Sequence, residues 1–494
     1  MTHLVLILCE ERSSNKSHKQ SFQRLIITSY SISEEKMKTK SWTTIVLLTS
    51  LSILITACGG PATTQAPAAT VASASTQASA ATEAPAATEA PAQTGGEKIN
   101  LGLWTHSAGN PNELEVIQTW VDDFNAQSEK YVITIESFPQ ASYNDSVAAA
   151  SVAGSLPCII DLDGPTVPNF AWSGYIQPLP ITEDDVKAMS VLTNDVGRYN
   201  GQIYSLGQFD VALMIMGRKS ILDEHGIRIP TIDEPWTKDE FMAALDTLKA
   251  SGQYEYPFDL NAGYTGEWWS YAYSPWLQSS GGDLIDRSTY TSAEGVLNGP
   301  EALAWGEWFQ SLFTEGYAPA TPADDQGFLQ GRIPLWYTGS WAAQSVLDTY
   351  GDDALFLPPP DFGNGPKIGA GSWQMGVSTN CSEEATPGAF EFVLSTMTPE
   401  NVALMSEKTG LIPTTANAAA LTEQYKEGGP FRSFYDMAEE FALVRPETPG
   451  YLTISSQFEQ AGLKIRDGGD VQNALDDAVD AIEQDIQDNS NYGF

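Results

Sequence analysis

Asp161 and Asp163, two residues apart in CIIDLDG (158–164), are the first pair in this 494-residue chain with the makings of chemistry. In a strand that spacing puts both carboxylates on one face, where they could serve as an acid and base pair of the kind that cleaves glycosidic bonds. The plainer reading gives one of them a ligand hydroxyl and leaves the other at a strand end. Little else is equipped for catalysis. Of four histidines, His3 and His18 lie upstream of Met37, which leaves His106 and His225, too few for a histidine-rich metal site. No HExxH, GxSxG elbow, P-loop or CxxC occurs. No catalytic residue, metal or cofactor is therefore expected, and the chain reads as a binder and not an enzyme.

Tryptophan is the more telling residue. There are 13, within an aromatic fraction of 10%, and several sit beside glycine, serine or acid: WTH (104–106), GEWW (266–269), GSW (339–341) and GSW again (371–373). Sugars offer apolar C–H faces ringed by hydroxyls. They are held by flat aromatic platforms and by short acidic or amide acceptors, with glycine letting the backbone come close. One such tryptophan usually belongs to a core. Four such contexts together point to a binding site.

These residues must be held by regular elements. INLGLWT (99–105) and YVITIES (131–137) read as strands, and Leu114, Ile117, Trp120, Val121 and Phe124 mark one face of a helix between them. YNDSVAAASVAG (143–154) reads as a helix ended by Gly154, followed by a buried strand at 158–164. Alternating strand and helix predict an open parallel α/β sheet. A second region of similar plan starts with the strand VALMIMG (211–217) and a helix from near Lys238. It continues through the aromatic stretch 264–276 to a helix at 301–313. Near the C-terminus, Val471, Leu475, Ala478, Val479, Ile482 and Ile486 share one helical face behind the N-cap Asp470.

Composition bounds the rest. With 63 acidic and 25 basic residues the formal charge is −38, which disfavours nucleic acid, anionic lipid and polyphosphate as ligands and leaves a neutral or cationic small molecule. The segment 59–96 is almost entirely Ala, Thr, Pro, Ser, Gln and Gly, with ATEAPA twice in tandem (81–92), and has too little apolar surface to offset ordering entropy. It is expected to be a disordered tether spanning 58–96. Before it, Lys38 and Lys40 precede a run of roughly ten mostly apolar residues, short of the ~20 that span a bilayer. With Ile55-Thr56-Ala57-Cys58 this resembles the lipobox of bacterial lipoproteins. The resemblance implies a signal peptide over 37–57, lipid attached to Cys58, translation from Met37 and a non-native extension over 1–36.

The remainder, 97–494, is similar in the order of its motifs to the extracellular solute-binding proteins of ABC importers, in the class that takes maltose and multiple sugars. The matching pieces are INLGLWTH, YNDSVAAASVAGSLPCIIDLDG, GYIQPL, YNGQIYSLGQFDVALMIMGRKSILDEHGI, FLQGRIPLWYTGSW, FLPPPDFGNG, AGSWQMGVSTN, FVLSTMTPENVALMSEKTGLIPT and the C-terminal helix. The resemblance implies a periplasmic-binding-protein-like (type II) fold. Its two α/β lobes, 97–208 with 361–405 and 209–360 with 406–494, are joined by crossings near 206–210, 357–360 and 406–411. It implies ligand contacts from Trp104, His106, Asp163, Gly164 and Trp373 on one lobe, and from Asp210, Glu267, Trp268, Trp269 and Trp341 on the other. It also sets the strand at 158 antiparallel to that at 373–379, which implies a Cys158–Cys381 disulfide. The implied function is a monomeric, lipid-anchored protein at the outer face of the cytoplasmic membrane, handing a sugar or oligosaccharide to permease subunits. A polyamine-binding protein and a cell-surface glycosidase using Asp161 or Asp163 stay open as alternatives.

Overall fold

The computed structural model describes residues 98–493, apart from the side chain of Ala141. The upstream extension, signal sequence, Cys58 and tether lie outside those residues. In chain order the strands are β1 (Ile99–Thr105), β2 (Tyr131–Ser137), β3 (Ile159–Asp163), β4 (Ile176–Gln177), β5 (Val196–Tyr199), β6 (Gln202–Leu206), β7 (Phe209–Asp210), β8 (Leu213–Arg218), β9 (Phe258–Asp259), β10 (Leu335–Gly339), β11 (Ala354–Leu357), β12 (Trp373–Ser378) and β13 (Ile412–Pro413). One sheet runs β2-β1-β3-β12-β6-β5 with β4 against β12, a second runs β11-β8-β10-β9, and β13 pairs with β7.

The first sheet is built by alternation. Leu101 and Leu103 on β1 are fully buried and share a cluster with Val116, Ile117, Trp120, Val121 and Phe124 of the helix Pro111–Gln127. The opposite face, with Ile160 and Leu162 of β3, is covered by Tyr143, Val147 and Ala150 of the helix Gln140–Ala153. That helix ends at Gly154 in the left-handed region, as the sequence predicts. The expectation of a parallel sheet holds for β1, β2 and β3 alone. β12 returns from the second sheet and lies antiparallel to β3 and β6. β5 and β6 form a hairpin closed by Asn200-Gly201, both at positive φ, the residue pair such a tight turn favours.

In the second sheet β8 lies antiparallel to β10 and β11, while β9 is parallel to β10. Its helices include Lys238–Ser251, entered through a Thr237/Glu240 capping box, and Pro300–Thr314. The C-terminal helices Tyr451–Arg466 and Val471–Asp488 complete the same core. All six expected apolar residues of the last helix are buried, and Asp470 caps it by accepting from the Asn473 amide. The aromatic stretch becomes the helix Trp268–Ser279, in which every residue after Trp268 is buried.

The chain leaves the first sheet after β6, passes through β7 into the second, returns between β11 and β12, and leaves again through β13. β7 and β13 pair antiparallel, Ile412 opposite Asp210, so the first and third crossings form one ribbon. This is the two-lobed, type II solute-binding architecture. Cys158 and Cys381 are joined by a disulfide with Cα atoms 4.4 Å apart, tying the start of β3 to the segment after β12 across 223 residues of sequence.

Candidate ligand-binding cleft

A cavity of about 990 Å³ opens between the two sheets. The first sheet and its helices contribute His106, Asn110, Glu113, Asp163 and Trp373; the second contributes Tyr264, Glu267, Trp268, Tyr271 and Trp341; the crossing segments add Phe209, Val211 and Leu411. Each wall therefore carries indole. On the second wall Trp341 and Tyr264 are 44% and 45% exposed, large for rings of their size, and Trp268 lies edge-on to both at 6.3 and 5.2 Å. The glycine of the first GSW turn is required by this geometry, since a Cβ on Gly339 would lie 2.0 Å from the Trp341 ring. On the first wall Trp373 heads β12 and stacks on the imidazole of His106 at 3.9 Å.

Between the walls sits a cation absent from the sequence-derived site. Arg445, 7% exposed, donates to Glu267 (2.6 Å) and Asp163 (3.3 Å), and its guanidinium lies 5.3 Å from the Tyr271 ring. Glu267 also accepts from Tyr451 and from Ser455 (2.6 Å). Burial pulls the Arg445 guanidinium down, but Asp163 and Glu267 outweigh it and hold it firmly charged. Burial pushes the Asp163 carboxyl up, against the opposing pull of Arg445. The sign in the sequence is faint: an arginine opening a turn, RPETPG, in a chain poor in basic residues. No periodicity marks it.

Beneath Trp373, His106 faces Asp161 through Nδ1 (2.5 Å) and Glu113 through Nε2 (3.2 Å). Burial raises the Glu113 carboxyl to about 7 in spite of His106. These three side chains are the set among the described residues that could hold a metal, with one ligand atom each inside a 4.8 Å span. Of the contacts within the set only that of Nδ1 with Asp161 is a hydrogen bond; Glu113 Oε1, near Nε2, has no hydrogen-bond partner. An ion bonded to Nδ1 at about 2.0–2.2 Å would have to break the 2.5 Å contact with Asp161.

Six of the ten expected ligand residues line this cavity: His106, Asp163, Glu267, Trp268, Trp341 and Trp373. Four do not. Trp104 lies on the β1 face opposite Leu101 and Leu103, packed on Phe138, with its indole N–H donated to Glu136 (2.8 Å), its register partner on β2. Gly164 packs against β12, where a Cβ would meet the Gln374 amide at 2.6 Å. Asp210 is wholly buried in the ribbon, accepting from the amides of Gly371 (2.5 Å) and Val211 (2.7 Å); burial still lifts its carboxyl to about 6. Trp269 turns into the core, its indole N–H bonded to the Tyr264 carbonyl and its ring so close to Gly462 that a Cβ there would approach to 2.4 Å.

Comparison with known proteins agrees with this architecture. Residues 119–431 match the family described as bacterial extracellular solute-binding protein. A maltotriose-binding protein of Pyrococcus abyssi is 24% identical over 353 residues, covering 69% of this chain and 72% of that protein. The cyclic α-maltosyl-1,6-maltose binding protein of Arthrobacter globiformis superposes with a TM-score of 0.65 at 24% identity, over 79% of this chain and all of that one. The GacH receptor of Streptomyces glaucescens, solved unliganded and with acarbose, gives 0.65 at 20% identity, over 80% of this chain and all of that one. With a family match across most of its folded part and the same two-lobed architecture, the chain belongs to the bacterial extracellular solute-binding proteins.

Proposed function

We propose that this protein captures an oligosaccharide in the cleft and delivers it to the permease of an ABC importer. The observation that carries the reading is a single opening walled on opposite sides by Trp373 and by Trp341 with Trp268, with buried polar groups between them. Indoles on both walls suit the two apolar faces of a sugar, and the acidic and amide groups suit its hydroxyls. A cavity of about 990 Å³ is at the upper end of small-molecule sites, room for more than one ring. The maltotriose, cyclic maltosyl-maltose and acarbose named for the relatives are ligands of this kind. Contact with both walls at once would stabilise the closed state of two lobes that hinge on the crossings. In this reading the lobes divide as 97–208 with 361–405 and 209–360 with 406–494, and a monomer is tethered through lipid on Cys58.

Catalysis forms no part of the proposal. Asp161 is committed to His106 and Asp163 to Arg445, so neither is free to act as the general acid of a glycosidase. The same pairings neutralise acids that a polyamine would need. The test is calorimetric titration of the protein with maltotriose and with spermidine, alongside incubation with aryl glycosides. Saturable maltotriose binding without product supports the proposal; spermidine binding alone, or released aglycone, contradicts it.

A further inference from the structure

We propose that His106 is a positioning residue for ligand capture: its ring, clamped edge-on between Asp161 and Glu113, backs the inner face of Trp373 and fixes the plane that this indole offers a sugar. The inference rests on the sugar-binding reading and adds to it a device that sets affinity. The imidazole and indole rings are 3.9 Å apart and 10° from parallel, a stack covering one face of Trp373 while the residue still lines the cavity. Tyr143 of the helix Gln140–Ala153 meets the indole edge-on at 5.5 Å. The His106 side chain is 2% exposed, and a carboxylate stands at each of its nitrogens, Asp161 from β3 and Glu113 from the helix Pro111–Gln127.

Asp161 is hydrogen-bonded to Nδ1, while Glu113 Oε1 stands 3.2 Å from Nε2 as a charge partner without a hydrogen bond, so its attraction for the ring needs the imidazolium and is lost when the ring is neutral. Every titratable neighbour favours the doubly protonated form or is silent. Asp161 and Glu113 touch the ring, Asp163 adds its field from further along β3, and the Tyr143 phenol ring stands edge-on at 6.2 Å. Burial pulls His106 down, but those carboxylates outweigh it and leave the imidazolium favoured above its usual range. A cation behind the indole also attracts its π face. The hydrogen bond to Asp161 holds the Nδ1 edge; Glu113, whose carboxyl burial raises to about 7, adds its charge at the other edge as it ionises, and the hold on the ring loosens as pH rises through the raised His106 value.

The experiment follows maltotriose affinity from pH 5.5 to 9 in the full chain, with Glu113→Gln and His106→Gln beside it. In parallel, the Trp373 indole NMR signal of the ligand-free protein, assigned with Trp373→Phe, is followed over the same range. The native affinity is expected to weaken ~2- to 10-fold on the alkaline side, the worth of an aromatic stack, and the indole signal to move with the same midpoint. Glu113→Gln is expected to shift that midpoint downward, since it removes a carboxylate that favours the imidazolium. His106→Gln is expected to bind weakly at every pH with no step.

A stationary indole signal overturns the clamp whatever maltotriose does. A flat affinity beside a moving signal overturns its role in capture, and a step abolished by Glu113→Gln belongs to Glu113 itself and overturns the assignment to His106. A moving signal with no maltotriose binding at any pH sinks the sugar reading and leaves the clamp standing.

Discussion

Trp341→Ala removes a platform with little cost to the fold, because the ring is already 44% exposed. A tryptophan presents up to about 250 Å², so roughly 110 Å² of this one is free to be covered. At about 25 cal/mol per Å² full coverage would be worth about 2.8 kcal/mol. A sugar ring lies on one face and covers about half, which leaves about 1.4 kcal/mol, or a tenfold loss of affinity. Calorimetric titration with maltotriose reads this directly. Trp172→Ala is the matched control: that ring is 41% exposed but packs edge-on against Tyr492 and does not line the cavity. Native-like affinity is expected for the control. Equal losses in the two variants, or none in Trp341→Ala, would refute the reasoning.

Trp269→Ala is expected to act on stability instead: emptying a fully buried indole site costs about 3–5 kcal/mol, read as a melting temperature lower by about 4–6 °C, with maltotriose affinity of the folded protein unchanged. Arg445→Met strands the mostly buried Asp163 and the partly exposed Glu267 carboxylates and is expected to cost about 2–3 kcal/mol in chemical denaturation, below the figure for a fully buried pair because water reaches Glu267; a variant as stable as the native protein contradicts the pairing. Reducing Cys158–Cys381 frees a very long loop and in the chain-entropy account costs about 5 kcal/mol. Peptide mapping after alkylation of unfolded, unreduced protein should find neither cysteine labelled. The pH dependence of stability has a definite sign. Asp210 goes from 3.8 to about 6 on folding and Glu113 from 4.5 to about 7, so the folded state holds their protons more tightly; stability should fall as pH rises from about 4 to 7. The raised His106 acts in the same direction, its contribution being lost as pH passes through its folded value. A melting temperature higher at pH 8 than at pH 5 contradicts this.

Much of the scaffold was legible because period and punctuation are local. The alternation of INLGLWT, the stop at Gly154 and the apolar stripe behind Asp470 each reappear in the folded chain. The disulfide followed from the family resemblance, since nothing local to Cys158 or Cys381 selects a partner. What resisted reading was direction. Trp268 and Trp269 are neighbours, yet consecutive residues on a helix point about 100° apart, so one reaches the cleft and the other the core. Until the aromatic stretch is known to be helical, that choice is invisible. Trp104 is turned aside by its register partner on β2, Glu136, which accepts its indole N–H, a pairing that shows only once the two strands are laid side by side. Arg445 lies between elements, where no pattern announces it, and its role emerges only when the chain brings Asp163 and Glu267 to either side.

The claim on which the account turns is that both aromatic walls grip one oligosaccharide. A crystal structure of the protein with maltotriose addresses it most directly. The account predicts sugar in the cleft, one ring against Trp373 and another against Trp341, with the lobes closed around them. Maltotriose bound outside the cleft, or within it and touching neither indole, would contradict it.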